Sequence, residues 1–315
     1  MELINLIEKV LTSKELIEKP PVLLDIGASG EIHPEWKLIA KHSICVAFDA
    51  DTRDFNSIET NSGYKKIHLI NAIVSNKTDK TTAFYLTSSP HCSSSLYPLN
   101  DKLKNWSFAD LFEVEKKIEL NNVSLADVLK EKNINYIDWF KTDSQGTDLR
   151  LFKALTTDLQ NNVIIAQFEP GIIDAYDGED KLHSVLAYID SMPYWASEIH
   201  VMGAKRISKT TLQKYNLNAN TAFNIPNSSC WGEITYFNTF ENKINNRDIL
   251  LAWVFASIKK QHGFALDVLN LNHTIDSLLV NELVNYSLKT IKPIEFEVST
   301  KQKIKNKLIQ LINKL

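Results

Sequence analysis

The feature that most constrains this chain is a short apolar run that recurs through its first quarter and each time ends on a small or acidic residue. Val22-Leu23-Leu24-Asp25-Ile26 runs into Gly27, Ile44-Cys45-Val46-Ala47-Phe48 runs into Asp49, and Ile67 to Val74 follows at a similar interval. Continuous apolar runs of this length predict strands buried on both faces, and the polar, helix-compatible stretches between them predict βαβ crossovers. Upstream, Leu3, Leu6, Ile7, Val10 and Leu11 share one helical face, and Pro20-Pro21 ends whatever precedes it. Residues 76 to 127 are rich in Thr, Ser, Asn and Lys and predict hairpins and a mobile loop. The alternation then resumes, with strands expected at 136–142 and 163–168 and helices at 124–130, 148–155 and 182–189. Further strands are expected at 195–202 and 234–237, and helix from Arg247 onward. The fold class is α/β, a Rossmann-like doubly wound sheet. An N-terminal amphipathic helix (1–20) precedes the main domain (21–240), and a helical C-terminal extension (241–315) follows it.

Composition sets the limits on partners. With 44% hydrophobic and 23% charged residues the 315-residue chain is an ordinary globular one. Its only arginines are Arg53, Arg150, Arg206 and Arg247, and the formal net charge is −3, which argues against a nucleic-acid reader. Cys45, Cys92 and Cys230 form neither a disulfide framework nor a zinc motif. No basic leader or 20-residue apolar span is evident, so the reading is a cytoplasmic protein. The lysine-rich end, Lys301 to Leu315, carries one apolar face. It reads as a docked helix with a solvated lysine face, or as a peripheral contact with an anionic membrane.

In a doubly wound sheet, ligands bind beyond the carboxyl ends of the strands, so chemistry is sought there. The first run ends in Asp25-Ile26-Gly27-Ala28-Ser29-Gly30. A carboxylate at this turn repels a pyrophosphate and favours an ammonium or sulfonium, and the GxGxxG spacing of dinucleotide folds is missing. S-adenosyl-L-methionine suits such a loop better than a nicotinamide cofactor. Asp49 follows Gly30 by 19 residues, the placement for accepting both ribose hydroxyls of an adenosine. Asn71 and Ala72 close the third run and complete the expected cofactor set. The same residues also serve as a plain strand-to-helix turn, and Asp49, Asp51 and Asp54 as helix caps.

The segment Lys141-Thr-Asp143-Ser-Gln-Gly146-Thr-Asp-Leu149, downstream of the Leu24-Asp-Ile-Gly-Ala28 turn, closely resembles the FkbM-type family of S-adenosylmethionine-dependent methyltransferases. Pro34-Glu-Trp36, Ser94-Ser-Leu96, Ser124 to Leu129 and Gln167-Phe-Glu-Pro170 extend the resemblance over roughly residues 20 to 240. The chain carries Glu31 where such members have a further glycine. The resemblance implies a class I methyltransferase sheet and methyl transfer to a hydroxyl of a small molecule or of a sugar in a glycan.

In-line transfer from a sulfonium needs alignment above all, and a hydroxyl nucleophile needs a proton acceptor. Asp143 is the leading candidate, with His91 and His200 as rival bases ahead of His183. Asp143 with Glu169 and a third group is an alternative set for a divalent metal, which is not favoured. The acceptor wall is expected from residues 86–106, 170–181 and the C-terminal helices. An N-methyltransferase, and a non-catalytic glycan-binding or scaffold module on the same fold, stand as alternative functions.

Overall fold

The computed structural model describes residues 2–28, 32–51, 63–75, 79–217, 224–241, 244–271 and 274–291. Ten strands are β1 (Val22–Ile26), β2 (Ile44–Phe48), β3 (Lys66–Ile70), β4 (Ile73–Val74), β5 (Thr81–Thr87), β6 (Val114–Val123), β7 (Trp139–Thr142), β8 (Ile165–Phe168), β9 (Tyr194–Lys205) and β10 (Asn227–Asn238). Seven of them form one sheet in the order β3-β2-β1-β7-β8-β10-β9. Pairing is parallel from β3 to β8, while β10 lies antiparallel to both β8 and β9. The order reverses between β1 and β7, so the crevice beyond their carboxyl ends is the switch point at which such sheets bind ligands.

Strand alternation divides the core in two. Leu23, Cys45, Ala47, Trp139, Ile165 and Phe237 face one layer. Val22, Leu24, Val46, Phe48, Phe140 and Phe168 face the other, against the helices Leu125–Glu131, Asp148–Lys153 and Leu182–Ile189. Both faces are covered, which is why these strands read as unbroken apolar runs.

The first layer is made from the two ends of the chain. The helices Leu3–Leu11 and Lys14–Glu18 meet Asn246–Ile258, His262–Leu269 and Ser277–Ile291 there. Eight successive residues, Ile249 to Ala256, are buried in Asn246–Ile258, so this helix is apolar on every side and lies between the sheet and the outer helices. The C-terminal segment is thus built into the main core rather than added beside it. Arg247, at the start of that helix, fixes the arrangement. Its Nη1 and Nη2 donate to the two carboxylate oxygens of Asp138 at 2.8 and 2.7 Å, and its Nε donates to the Lys19 carbonyl at 2.8 Å. Asp138 Oδ2 also accepts from the Val22 amide at 2.8 Å, so one bidentate pair ties together β1, the approach to β7 and the C-terminal helix.

Two expectations change. The run 67–74 does not form one strand: it breaks at Asn71-Ala72, where the Asn71 amide turns to donate to the Asp49 carbonyl at 2.8 Å. β4 instead joins β6 and β5 in a separate three-stranded sheet. β9 and β10 are 12 residues each, well beyond the two short strands read from the sequence. The amphipathic tail at 301–315 lies outside the described residues. No helix among the described residues is long and apolar enough to cross a membrane.

Removing one side of a buried bidentate pair strands a charge, at a cost of about 3–5 kcal/mol. Arg247→Ala is therefore expected to lower the unfolding free energy by about that amount, measured by urea denaturation. A loss below about 1 kcal/mol would show that the pair does not fix the C-terminal helix.

Candidate functional site

The carboxyl ends of β1, β2 and β7 converge on a cleft of about 660 Å³. Gly27 forms its nearest wall. Its φ is +87°, and a Cβ there would lie 2.0 Å from the Asp143 carbonyl oxygen, so both the backbone conformation and the close approach of two loops require glycine. The amides of Gly27 and Ala28 donate to the Phe48 carbonyl at 2.9 and 3.0 Å and join this turn to the end of β2. Asp49 and Asp51 follow Phe48 into the cleft and are both buried, with the Asp51 amide donating to Asp49 Oδ1 at 2.8 Å. The floor is apolar, supplied by Phe48, Ala72, Ile73, Val74 and Leu151.

The cleft's far side is the turn after β7, and its conformation is tightly determined. Gln145 (φ +55°) and Gly146 (φ +104°) are both left-handed, which a glutamine adopts only when its surroundings hold it there. Ser94 Oγ donates to the Gln145 carbonyl at 2.8 Å, and the Gln145 side-chain amide donates to Asp143 Oδ1 at 2.6 Å. The Tyr176 hydroxyl lies 2.9 Å from both Gln145 Oε1 and the Cys92 carbonyl, and donates to one or the other. Ser94 and Leu96 of the serine-rich segment thus brace the turn, with Leu96 Cδ1 lying 3.1 Å from where a Gly146 Cβ would stand.

Asp148 carries the turn from beneath. One of its oxygens accepts from the Ser144 amide at 2.9 Å, the Ser144 hydroxyl at 2.5 Å and the Thr142 hydroxyl at 3.2 Å; the other accepts from the Glu169 amide at 2.7 Å. It therefore positions the ends of β7 and β8 together, and with them Asp143 and Glu169. Burial pushes the Asp148 carboxyl up to about 6, the Ser144 hydrogen bonds opposing and the Asp143 charge adding to it. Glu169 is driven far above the carboxylate range by burial and then by Asp143, to which it is hydrogen-bonded. The two carboxyls are thus joined by a hydrogen bond that favours a retained proton.

A second cavity, of about 1220 Å³, opens on the other side of Asp143 and shares His91, Asp143 and Gln145 with the first. Its apolar wall is Phe108, Phe112, Ile173 and Tyr176, which belong to a hydrophobic cluster with Leu103. Trp231 of β10 closes it. His91 and Cys92 of the 86–106 segment and Gly171 to Glu179 of the 170–181 loop line this cavity, but Phe108, Leu111 and Phe112 lie beyond the segment expected, and the described C-terminal helices do not reach it. They border a third, polar cleft, where Ile258, Lys259 and Lys260 line up with His33, Lys141 and Glu169.

The candidate residues are therefore not all brought together. Gly27, Asp49, Ala72, Asp143 and His91 line the first cleft, while Asn71 supports it through the Asp49 and Ala50 carbonyls. Asp25 does not line it. The parallel register of β1 with β7 sets Asp25 beside Lys141, whose ammonium lies 3.0 Å from Asp25 Oδ1, while Asp25 Oδ2 accepts from the His33 amide at 3.0 Å. Burial lowers the affinity of Lys141 for its proton, but Asp25 and then Asp143 outweigh that and raise it. His200 is exposed on β9 and borders the polar third cleft, away from Asp143. It is no partner for a nucleophile in the first two. Ala28 is buried beneath the turn, and Ser29, Gly30, Glu31 and Asp54 lie outside the described residues. Asp143 and Glu169 adjoin, yet among the described residues no group of three or more His, Cys, Asp and Glu side chains is placed to hold a metal ion. The sequence reading gives no role to Gln145, Asp148 or Tyr176; Gln145 and Asp148 lie within the Lys141–Leu149 motif, which is their signal, and Tyr176 has none.

Since Asp148 is a carboxyl whose affinity for protons is higher folded than unfolded, folding stability from it is full below about pH 4 and is lost as pH rises through about 6. The shift from 3.8 to about 6 corresponds to roughly 3 kcal/mol. Asp148→Asn is expected to flatten the stability profile over that interval. It should also lower stability overall, because an amide nitrogen then faces the Glu169 N–H. An unchanged slope in urea titrations at pH 4 to 7 would refute the assignment.

Comparison with known proteins agrees with this geometry. A family model described as the methyltransferase FkbM domain matches residues 40–195, from the approach to β2 through the start of β9, and so includes Asp49, His91, Asp143, Gln145 and Glu169. No curated protein matches the chain. Over residues 40–195 the chain thus carries a methyltransferase FkbM domain.

Proposed function

We propose that the protein is an S-adenosylmethionine-dependent O-methyltransferase that methylates a hydroxyl of a sugar, a glycan or another small metabolite. The observation that carries this reading is that two cavities of different character meet at Asp143: one lined by the strand ends at Gly27 and Asp49, the other by an aromatic wall.

The residues present fit the cofactor. Asp49 offers a buried carboxylate at the end of β2, suited to the two hydroxyls of a ribose, above an apolar floor suited to a flat base. The Gly27 turn lets the end of β1 close against the Asp143 backbone, so that both border the same cleft. When bound, S-adenosylmethionine supplies a methyl group on an activated sulfonium leaving group. The protein's task is then to hold the acceptor hydroxyl in line and to receive its proton. Asp143 stands where the cavities join and takes up that proton. Gln145 donates to Asp143 and Glu169 is hydrogen-bonded to it, which fixes its direction. His91, at the same junction, is the second group within reach of an acceptor hydroxyl. Asp25, paired with Lys141, supports the turn rather than the ligand.

Asp143→Ala is expected to lower the rate of S-adenosylhomocysteine formation by about 10²- to 10⁴-fold while leaving thermal unfolding close to wild type. His200→Ala should leave the rate unchanged. Full activity in the Asp143 variant would remove that residue from the mechanism.

A further inference from the structure

The cavity beyond Asp143 has a composition that restricts what enters it. Phe108, Leu111, Phe112, Ile173, Tyr176 and Trp231 supply its large apolar side chains. Among the described lining residues there is no lysine or arginine, whereas Asp143, Glu169 and Glu179 all border it. Glu179 is ion-paired with Lys181 at 2.8 Å and accepts from the Ala175 amide at 2.7 Å. Asp143 faces no lysine or arginine among the described lining residues, and Lys141, whose proton it helps to hold, lines the polar third cleft instead. An anionic group brought here would lose its hydration, find no compensating charge and lie near a carboxylate.

The aromatic wall is also placed rather than incidental. Phe108 and Phe112 are 5.3 Å apart, Phe112 and Tyr176 5.6 Å, so the rings form one continuous apolar surface. Trp231 reaches it because β10 bulges at Cys230: the register with β9 shifts between Ser229 and Trp231. A bulge of this kind re-aims the side chain that follows it. The Cys230 carbonyl, freed from the ladder, accepts the Ile172 and Ile173 amides at 2.8 and 3.1 Å and so fixes the 170–181 loop against Trp231.

Resting on the methyltransferase reading, we propose that the acceptor is an uncharged molecule that lays an apolar ring face on Phe108, Phe112 and Trp231 and points its hydroxyl at Asp143. Phosphorylated, nucleotide-linked and carboxylated acceptors are rejected. The specificity lies in the wall's lack of a cation, and Leu111, half-exposed at its rim, is the position where one can be added without disturbing the core.

The test is calorimetry on the full chain saturated with S-adenosylhomocysteine, using phenyl β-glucoside as the neutral probe and phenyl phosphate as the anionic one. The neutral probe is expected to bind at least about tenfold more tightly. Leu111→Lys should narrow that ratio by about tenfold or reverse it, and Trp231→Ala should weaken the neutral probe by about tenfold with S-adenosylhomocysteine affinity unchanged. Equal or tighter binding of phenyl phosphate to the wild type, or binding of neither probe to protein that holds S-adenosylhomocysteine, overturns the proposal. Failure to bind S-adenosylhomocysteine at all would instead overturn the cofactor assignment beneath it.

Discussion

The seam between β1 and β7 is the constraint on which the rest of this molecule depends. These two strands are far apart in sequence and adjacent in space, and their pairing creates the point where the sheet changes direction. It is pinned at both ends. At the amino ends Asp138 takes the Val22 amide and the Arg247 guanidinium, which also seats the C-terminal helix. At the carboxyl ends Asp25 pairs with Lys141, and Gly27 presses against the Asp143 backbone. Asp148 then transmits the position of β7 to β8, so that Asp143 and Glu169 stand side by side. The site is a consequence of how this seam closes.

The seam also redistributes charge. Four acidic residues stand at successive strand ends, and a count by sign alone makes the whole crevice acidic. In the folded protein Asp25 is answered by Lys141, and Glu169 keeps its proton because burial and Asp143 together disfavour a second charge. Asp49 stands buried on one side of the crevice and Asp143 in the middle. In the proposed reading the first serves a pair of ribose hydroxyls and the second receives a proton.

Much of this was legible in the sequence because doubly buried strands announce themselves as apolar runs, and the turns that follow them carry Gly27, Asp49 and Asp143. The helix Leu182–Ile189 was likewise plain from its periodicity. What stayed hidden depends on tertiary contacts. Ile249 to Ala256 shows no polar face, so its burial between two layers cannot be told from a simple helical run. The partnership of Asp25 with Lys141 needs the β1–β7 register, which local sequence does not specify. Tyr176 and Gln145 meet across 31 residues through a loop with no regular pattern. His200 looked placed for a cleft edge and is, but the cleft is the polar one on the far side of Glu169.

The central claim is that the cleft at Gly27, Asp49 and Asp143 holds S-adenosylmethionine, and the most direct measurement is titration calorimetry of that compound into wild-type and Asp49→Ala protein. The account predicts saturable single-site binding to the wild type, weakened by at least about tenfold in the variant through loss of the carboxylate's hydrogen bonds to the ribose. No binding to the wild type, or equal affinity in a folded Asp49→Ala protein, would contradict it.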